Sequence, residues 1–151
     1  MARTAYLTHP DCRLHDMGAY HPECPARLKA IDDILVSQGL DRLLIRHEAP
    51  LASIGALCRV HSREYVDRVR SAAPHAGIVP LDADTAMNPY TWNAALRAAG
   101  AGLLAVDLVL RGEVDNAFCA VRPPGHHALR DAAMGFCLFN NVAVAAAHAL
   151  A

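Results

Sequence analysis

The run Asn116-Ala117-Phe118-Cys119-Ala120-Val121-Arg122-Pro123-Pro124-Gly125-His126-His127 sets the architecture expected of this chain. Its first half is an apolar strand and its second half a stiff loop. Pro123 disfavours the helical conformation at Arg122, and Pro124 does the same at Pro123, so the backbone stays extended. The two rings remove backbone donors and loop freedom. Gly125 then permits the bend that proline forbids. The paired imidazoles can exchange protons near neutral pH, and open α/β sheets bind their ligands at the carboxyl ends of strands. The local pattern alone admits two readings: a catalytic or metal-binding loop, or an ordinary Pro-Pro-Gly turn followed by a solvated histidine pair.

Upstream, Ala5 to Thr8 reads as a short first strand, and His9 to Cys24 as a long loop rich in His, Pro, Asp and Gly. Pro25 suits the first turn of a helix with Leu28, Ile31, Ile34 and Leu35 on its apolar face and Gly39 closing it. A second strand follows at Leu43 to Arg46, then a short helix at Ile54 to Arg59. Ser62 caps another helix, with Glu64 near its positive end and Tyr65, Val66 and Val69 on one side. Pro74 to Thr85 reads as loop, with a short extended piece at Ile78-Val79. Asn88-Pro89 starts a long helix whose Trp92, Ala95, Leu96, Ala99, Leu103, Val106 and Leu110 recur at helical spacing and belong to a core. Gly100 and Gly102 each weaken that helix by about 1 kcal/mol relative to alanine and would permit close packing on the sheet. Alternating strands and helices predict an α/β fold with a parallel sheet, without repeats, linkers or a second domain.

With 151 residues, 54% of them hydrophobic, the chain has ample material for one core, and a net charge of −1 advertises no basic face for nucleic acid. Nine histidines suit metal or acid–base chemistry. The five cysteines (Cys12, Cys24, Cys58, Cys119, Cys137) include no Cys-x-x-Cys pair and suit a reducing compartment; Cys119, within a strand, reads as a small hydrophobe. No run approaches roughly 20 consecutive apolar residues, so no membrane span is expected. The opening Met1 to Thr8 lacks the apolar core of a signal peptide. A cytoplasmic location is expected.

Downstream, Gly135-Phe136-Cys137-Leu138-Phe139-Asn140-Asn141 opens a strongly apolar helix. Together with Arg122-Pro123-Pro124-Gly125-His126-His127-Ala128, this segment resembles the histone deacetylase family, in the branch of histone deacetylase-like amidohydrolases and acetylpolyamine amidohydrolases. The resemblance runs through nearly the whole chain. Thr8 to Cys12, His15 to Gly18 and His21-Pro22-Glu23-Cys24-Pro25-Ala26-Arg27-Leu28 look like the family's opening loop, and Val60 to Val66 and Asp82 to Thr85 fit in order.

The resemblance implies a three-layer αβα arginase–deacetylase-like fold, with the present strands forming one edge of the sheet in the order second, first, third. It implies zinc-dependent hydrolysis of an N-acetyl amide on a lysine side chain or a polyamine. His127 matches the family's general base and acid, and His126 its partner, which supplies charge and orientation. Gly135 and Phe136 match the segment lining the acyl-chain tunnel, and Asp84 would hold substrate backbone at the rim, a turn-capping role being equally open for it. His15, His21 and His61 read as structural, Cys137 as no nucleophile, and Glu23 as a surface partner of Arg27 four residues on.

The chain departs from the family in its metal site. The family's ligands, two aspartates and a histidine, begin with an Asp-x-His motif that this sequence lacks, and the carboxylates that orient the two histidines and the late oxyanion tyrosine are unmatched. Catalytic zinc needs three protein ligands, so no metal ligand is assigned here. Asn141 to Ala151 is apolar on nearly every side and ends without glycine, proline or a terminal cation. Residues 1–151 are therefore expected to be the N-terminal portion of a single catalytic domain, inactive alone. Two alternatives stand beside this: a non-catalytic remnant or docking module completed by another chain, and an arginase-like metalloenzyme of the same fold. Oligomeric state is not legible.

Overall fold

A computed structural model of the chain describes residues 2–151. Its central strand, β1 (Thr4–Thr8), is the most deeply buried. It pairs in parallel with β2 (Leu44–Glu48) on one side and β5 (Asn116–Cys119) on the other, Thr4 lying opposite both Leu44 and Asn116. The order β2-β1-β5 is the edge arrangement that the resemblance implied.

Parallel neighbours need crossover connections. The first carries α1 (Asp11–Leu14) and α2 (Ala26–Ser37). The second carries α3 (Ile54–Leu57), α4 (Arg63–Ala72), a small antiparallel hairpin of β3 (Val79–Pro80) and β4 (Ala86–Met87), and α5 (Thr91–Leu110). After β5 and a long loop comes α6 (Asn141–Ala149).

Successive strand side chains point to opposite faces, and this alternation builds the layers. Tyr6 points to α2, packing with Leu28, Ile31 and Leu35. Ala5 and Leu7 point the other way, against Ala101, Leu104 and Leu108 of α5. The result is helix, sheet, helix. A second core lies around the N-terminal half of α5, where Leu96 and Ala99 meet Leu57 of α3, Val66 and Val69 of α4, Leu138 and Phe139 just before α6, and Val144 of α6.

Helix ends follow the sequence. Ser62 accepts a hydrogen bond from Tyr65 N, and Gly39 takes the left-handed conformation (φ 67°) after α2. Several details differ. The His9–Cys24 loop contains the short α1, started by Pro10 and Asp11. The second strand begins at Leu44 and runs to Glu48. Ile34 and Leu110, assigned to core faces, are 55% and 69% exposed. Ile78-Val79 becomes the Val79–Pro80 arm of the hairpin. The α5 helix is long and apolar enough to cross a membrane by composition, but its apolar residues pack on the sheet and on α6.

Gly100 and Gly102 do permit close packing, but not on the sheet. A Cβ at Gly100 would lie 1.9 Å from the carbonyl oxygen of Pro50, in the segment after β2. A Cβ at Gly102 would meet Ala145 of α6 at 3.1 Å. The first neighbour is backbone and cannot yield. Gly100→Ala should therefore destabilise the protein by about 1–3 kcal/mol, the usual range for overpacking, despite alanine's better helix propensity. An unchanged or raised urea midpoint would contradict this packing.

Candidate active site

β5 delivers the chain to Arg122, the residue that fixes the site. The residue is 2% exposed. Nε donates to Glu23 Oε1 at 2.5 Å and Nη2 to Oε2 at 2.7 Å. Nη1 donates to the carbonyls of Cys12 (3.0 Å) and His15 (2.8 Å), and Nη2 also reaches the Glu23 carbonyl at 3.4 Å. The surface role expected for Glu23 is thereby corrected. It is 1% exposed, and Arg27 approaches it only at 3.7 Å from the solvent side. Sequence spacing favoured the i,i+4 partner, whereas the tertiary fold supplied a bidentate one. Burial alone would raise the Glu23 carboxyl; the adjacent His15 ring and the Arg122 guanidinium outweigh it and hold the group below the ordinary carboxylate value.

The Arg122–Pro123 peptide is cis. The loop that follows is clamped by the start of α6. Asn141 Nδ2 lies 3.4 Å from Pro123 O, Val142 N donates to Gly125 O at 3.0 Å, and Asn140 Nδ2 donates to Ala128 O at 3.2 Å. Gly125 is needed here because a Cβ would lie 2.2 Å from the Asn141 amide. Asn140 also caps α6 by accepting from Ala143 N, and its own N–H donates to His61 Nε2 at 3.0 Å. His61 is structural, as expected: it is buried, and burial lowers its pKa.

From this clamped loop His126 and His127 emerge exposed, their ring centroids 4.1 Å apart. His126 borders an open groove of about 430 Å³ lined by Cys119, Val121, Pro123, Asn141 and Ala145. Burial pushes the Cys119 thiol up to about 11, consistent with a small apolar filler. His127 packs on Gly135, where a Cβ would strike its ring at 2.8 Å.

Gly135 and Phe136 both have positive φ (57° and 68°), and Met134 and Cys137 exchange both backbone hydrogen bonds. This is a two-residue turn of type I′. Glycine is at ease there; phenylalanine is strained. Buried Thr85 holds the turn by accepting from Phe136 N at 3.0 Å and donating to Asp84 Oδ1 at 2.9 Å. Asp84 is exposed beside Phe136, its carboxyl held below the usual range by the Thr85 hydroxyl, with the nearby N–H groups of Phe136 and Gly135 contributing. Contacts thus join Asp84, Gly135, Phe136 and His127 into one stretch of surface. His21 stands there too, half-buried, whereas His15 is fully buried, bonded through Nδ1 to Thr91 Oγ1 at 2.8 Å, with Nε2 3.5 Å from Glu23 Oε2.

Among the described residues no three His, Cys, Asp or Glu side chains gather as a metal site. The residues present therefore do not fit a catalytic zinc by themselves. Arg122, Glu23, Thr85, Asn140 and Asn141 are the positioning groups that sequence reasoning missed. Only Asn140 carried a local signal, a capping residue ahead of an apolar run.

Residues 21–151 match the histone deacetylase domain. The chain is 45% identical to the human polyamine deacetylase HDAC10 over 97% of its own length and 23% of that protein. It is 44% identical to a histone deacetylase-like amidohydrolase of Pseudomonas aeruginosa over 85% of its length and 33% of that protein. It superposes on the HDA15 HD domain crystal structure with a TM-score of 0.93 at 36% identity, covering 99% of this chain and 44% of the other. The αβα arrangement is accordingly that of the arginase–deacetylase fold, and the chain spans less than half the length of these relatives.

Breaking a buried pair leaves a charge uncompensated at about 3–5 kcal/mol, so Glu23→Gln should destabilise the protein by that order at neutral pH. The folded carboxyl lies below its ordinary value of 4.5. The pair's contribution is then complete above that pH and is lost as pH falls through the folded value. Urea unfolding should show the gap between wild type and Glu23→Gln closing in acid; a gap independent of pH would contradict the assignment.

Proposed function

The chain belongs to the histone deacetylase family, and we propose that the whole protein is a zinc-dependent amidohydrolase removing acetyl or related acyl groups from lysine side chains or polyamines. The observation that carries this reading is the exposed, clamped imidazole pair standing at the rim beside the Gly135–Phe136 turn. An amide is a poor electrophile with a poor leaving group, so its hydrolysis needs a proton removed from water and a proton given to the departing amine. His127 is assigned both transfers, and His126 their electrostatic support; adjacent imidazoles titrate as a pair. Phe136 provides an aromatic wall for a methylene chain, and Gly135 leaves room for the His127 ring. Asp84 is assigned to substrate backbone at the rim.

A bound zinc ion would polarise the acyl carbonyl and acidify water. Its ligands are not among the residues described, and this chain's own contribution is proton transfer and a tunnel wall. The net charge of −1 advertises no basic face for nucleic acid, and a cytoplasmic location belongs to the same proposal.

A second reading is favoured by one observation. Phe118 of β5, Leu110 of α5, Val142 of α6 and Leu150 just beyond it are exposed, and large apolar patches seldom stay bare. A non-catalytic module completed by another chain would also cover it. Sedimentation of the 151-residue chain as a well-folded monomer would argue against that reading.

The deacetylase proposal predicts zinc-dependent turnover of acetyl-lysine peptides or N-acetylpolyamines by the whole protein and none by the 151-residue chain. His127→Ala should lower kcat by about 10²–10⁴-fold, the usual contribution of general acid–base catalysis. Turnover by the short chain, or a His127→Ala enzyme with wild-type kcat, would refute it.

A further inference from the structure

We propose that His21 is a positioning residue for the acyl-chain wall, acting through Phe136; this rests on the deacetylase reading above. The opening loop carries His21 to the rim and fixes its ring from both nitrogens. At Nδ1 the ring meets the backbone of Glu23, the N–H at 3.1 Å and the carbonyl oxygen at 3.2 Å. Nε2 lies 3.3 Å from the carbonyl oxygen of Asp84, an acceptor only, so Nε2 carries the proton and donates. Both ring nitrogens are thus engaged. It stands edge-on to Phe136, centroids 4.7 Å apart and planes at 80°, the arrangement in which a positive ring edge meets a negative π face.

Phe136 needs such a hold. Its backbone is in the left-handed region, which a bulky residue adopts only when its surroundings impose it. Thr85 secures its N–H but leaves the ring unconstrained. His21 is the side chain that meets the ring edge-on. The hold is also tied to the histidine loop, because the residue that anchors His21, Glu23, is the one that Arg122 grips. One guanidinium therefore sets both the His126–His127 loop and the wall beside it.

A methylene chain lying on Phe136 touches it equally in the ground and transition states. Loosening the wall should then raise KM and spare kcat. In the whole protein, His21→Ala should raise KM for an acetyl-lysine peptide about three- to tenfold, the range of an aromatic pair's worth, with kcat within about twofold. His21→Phe keeps the aromatic edge but loses both hydrogen bonds that orient it and should fall between wild type and His21→Ala, while His21→Gln keeps a donor without a ring and should behave like His21→Ala. If His21→Ala fails to fold, the comparison of Phe with Gln decides. Adding His21→Ala to Phe136→Ala should change KM no further, a result that a merely structural role would not give. An unchanged KM in His21→Ala and His21→Gln, or a full additional loss on top of Phe136→Ala, overturns the inference while leaving the deacetylase reading intact. A wild-type protein without deacetylase activity overturns both.

Discussion

Burying a guanidinium costs several kcal/mol unless its charge is paired and every N–H is bonded. Arg122 meets both conditions. A guanidinium has five donors, and here they reach the two Glu23 carboxylate oxygens and the carbonyls of Cys12, His15 and Glu23. Three of those acceptors are backbone, so the contact orders the chain path of the opening loop as well as a side chain. That loop has one short helix and little other regular structure, yet Cys12, His15 and Glu23 are buried within it. The loop is held by the strand end it packs against.

The same anchor gives the histidine loop a fixed origin. From Arg122 the chain passes through two prolines, meets the first turn of α6 at Gly125, and leaves with both imidazoles in solvent. Rigidity and exposure are achieved together: the backbone is clamped by Asn140 and Asn141 while the rings stay uncovered. The Gly135–Phe136 turn applies the same logic from the other side. Its unfavourable backbone geometry lets Gly135 touch His127 and sets Phe136 at the rim, with Thr85 and His21 supplying the restraint. Strain of this kind persists where surroundings over-determine it, and it clusters at working sites.

How much of this was legible in the sequence depends on the range of the interaction. The Ser62 cap, the Gly39 terminus and the long apolar helix rest on local patterning, and each appears in the structure; the strand order came with the family resemblance. The family resemblance, carried by Arg122 to Ala128 and Gly135 to Ala143, led to the fold and to the rim residues. Glu23 was misread because the nearest partner in sequence, Arg27, satisfies a helical rule, while the true partner lies across the fold and leaves no trace in spacing. Gly100 and Gly102 were read correctly as contact glycines but against the wrong surface, since only the tertiary structure brings Pro50 and Ala145 to them. The positive φ of Phe136 was invisible for a similar reason: nothing local favours phenylalanine there, and the Thr85 hydrogen bond comes from a distant segment.

The central claim is that the Arg122–Glu23 pair acts as one unit to place the imidazoles. It is tested most directly by a double-mutant cycle on kcat in the whole protein, using Glu23→Gln and Arg122→Met. Displacing the loop by about 1 Å should cost about 10²-fold in rate, so each single variant is expected to fall by that order and the double variant no further than the worse single. Losses that multiply independently, or single variants that turn over at the wild-type rate, would contradict the account.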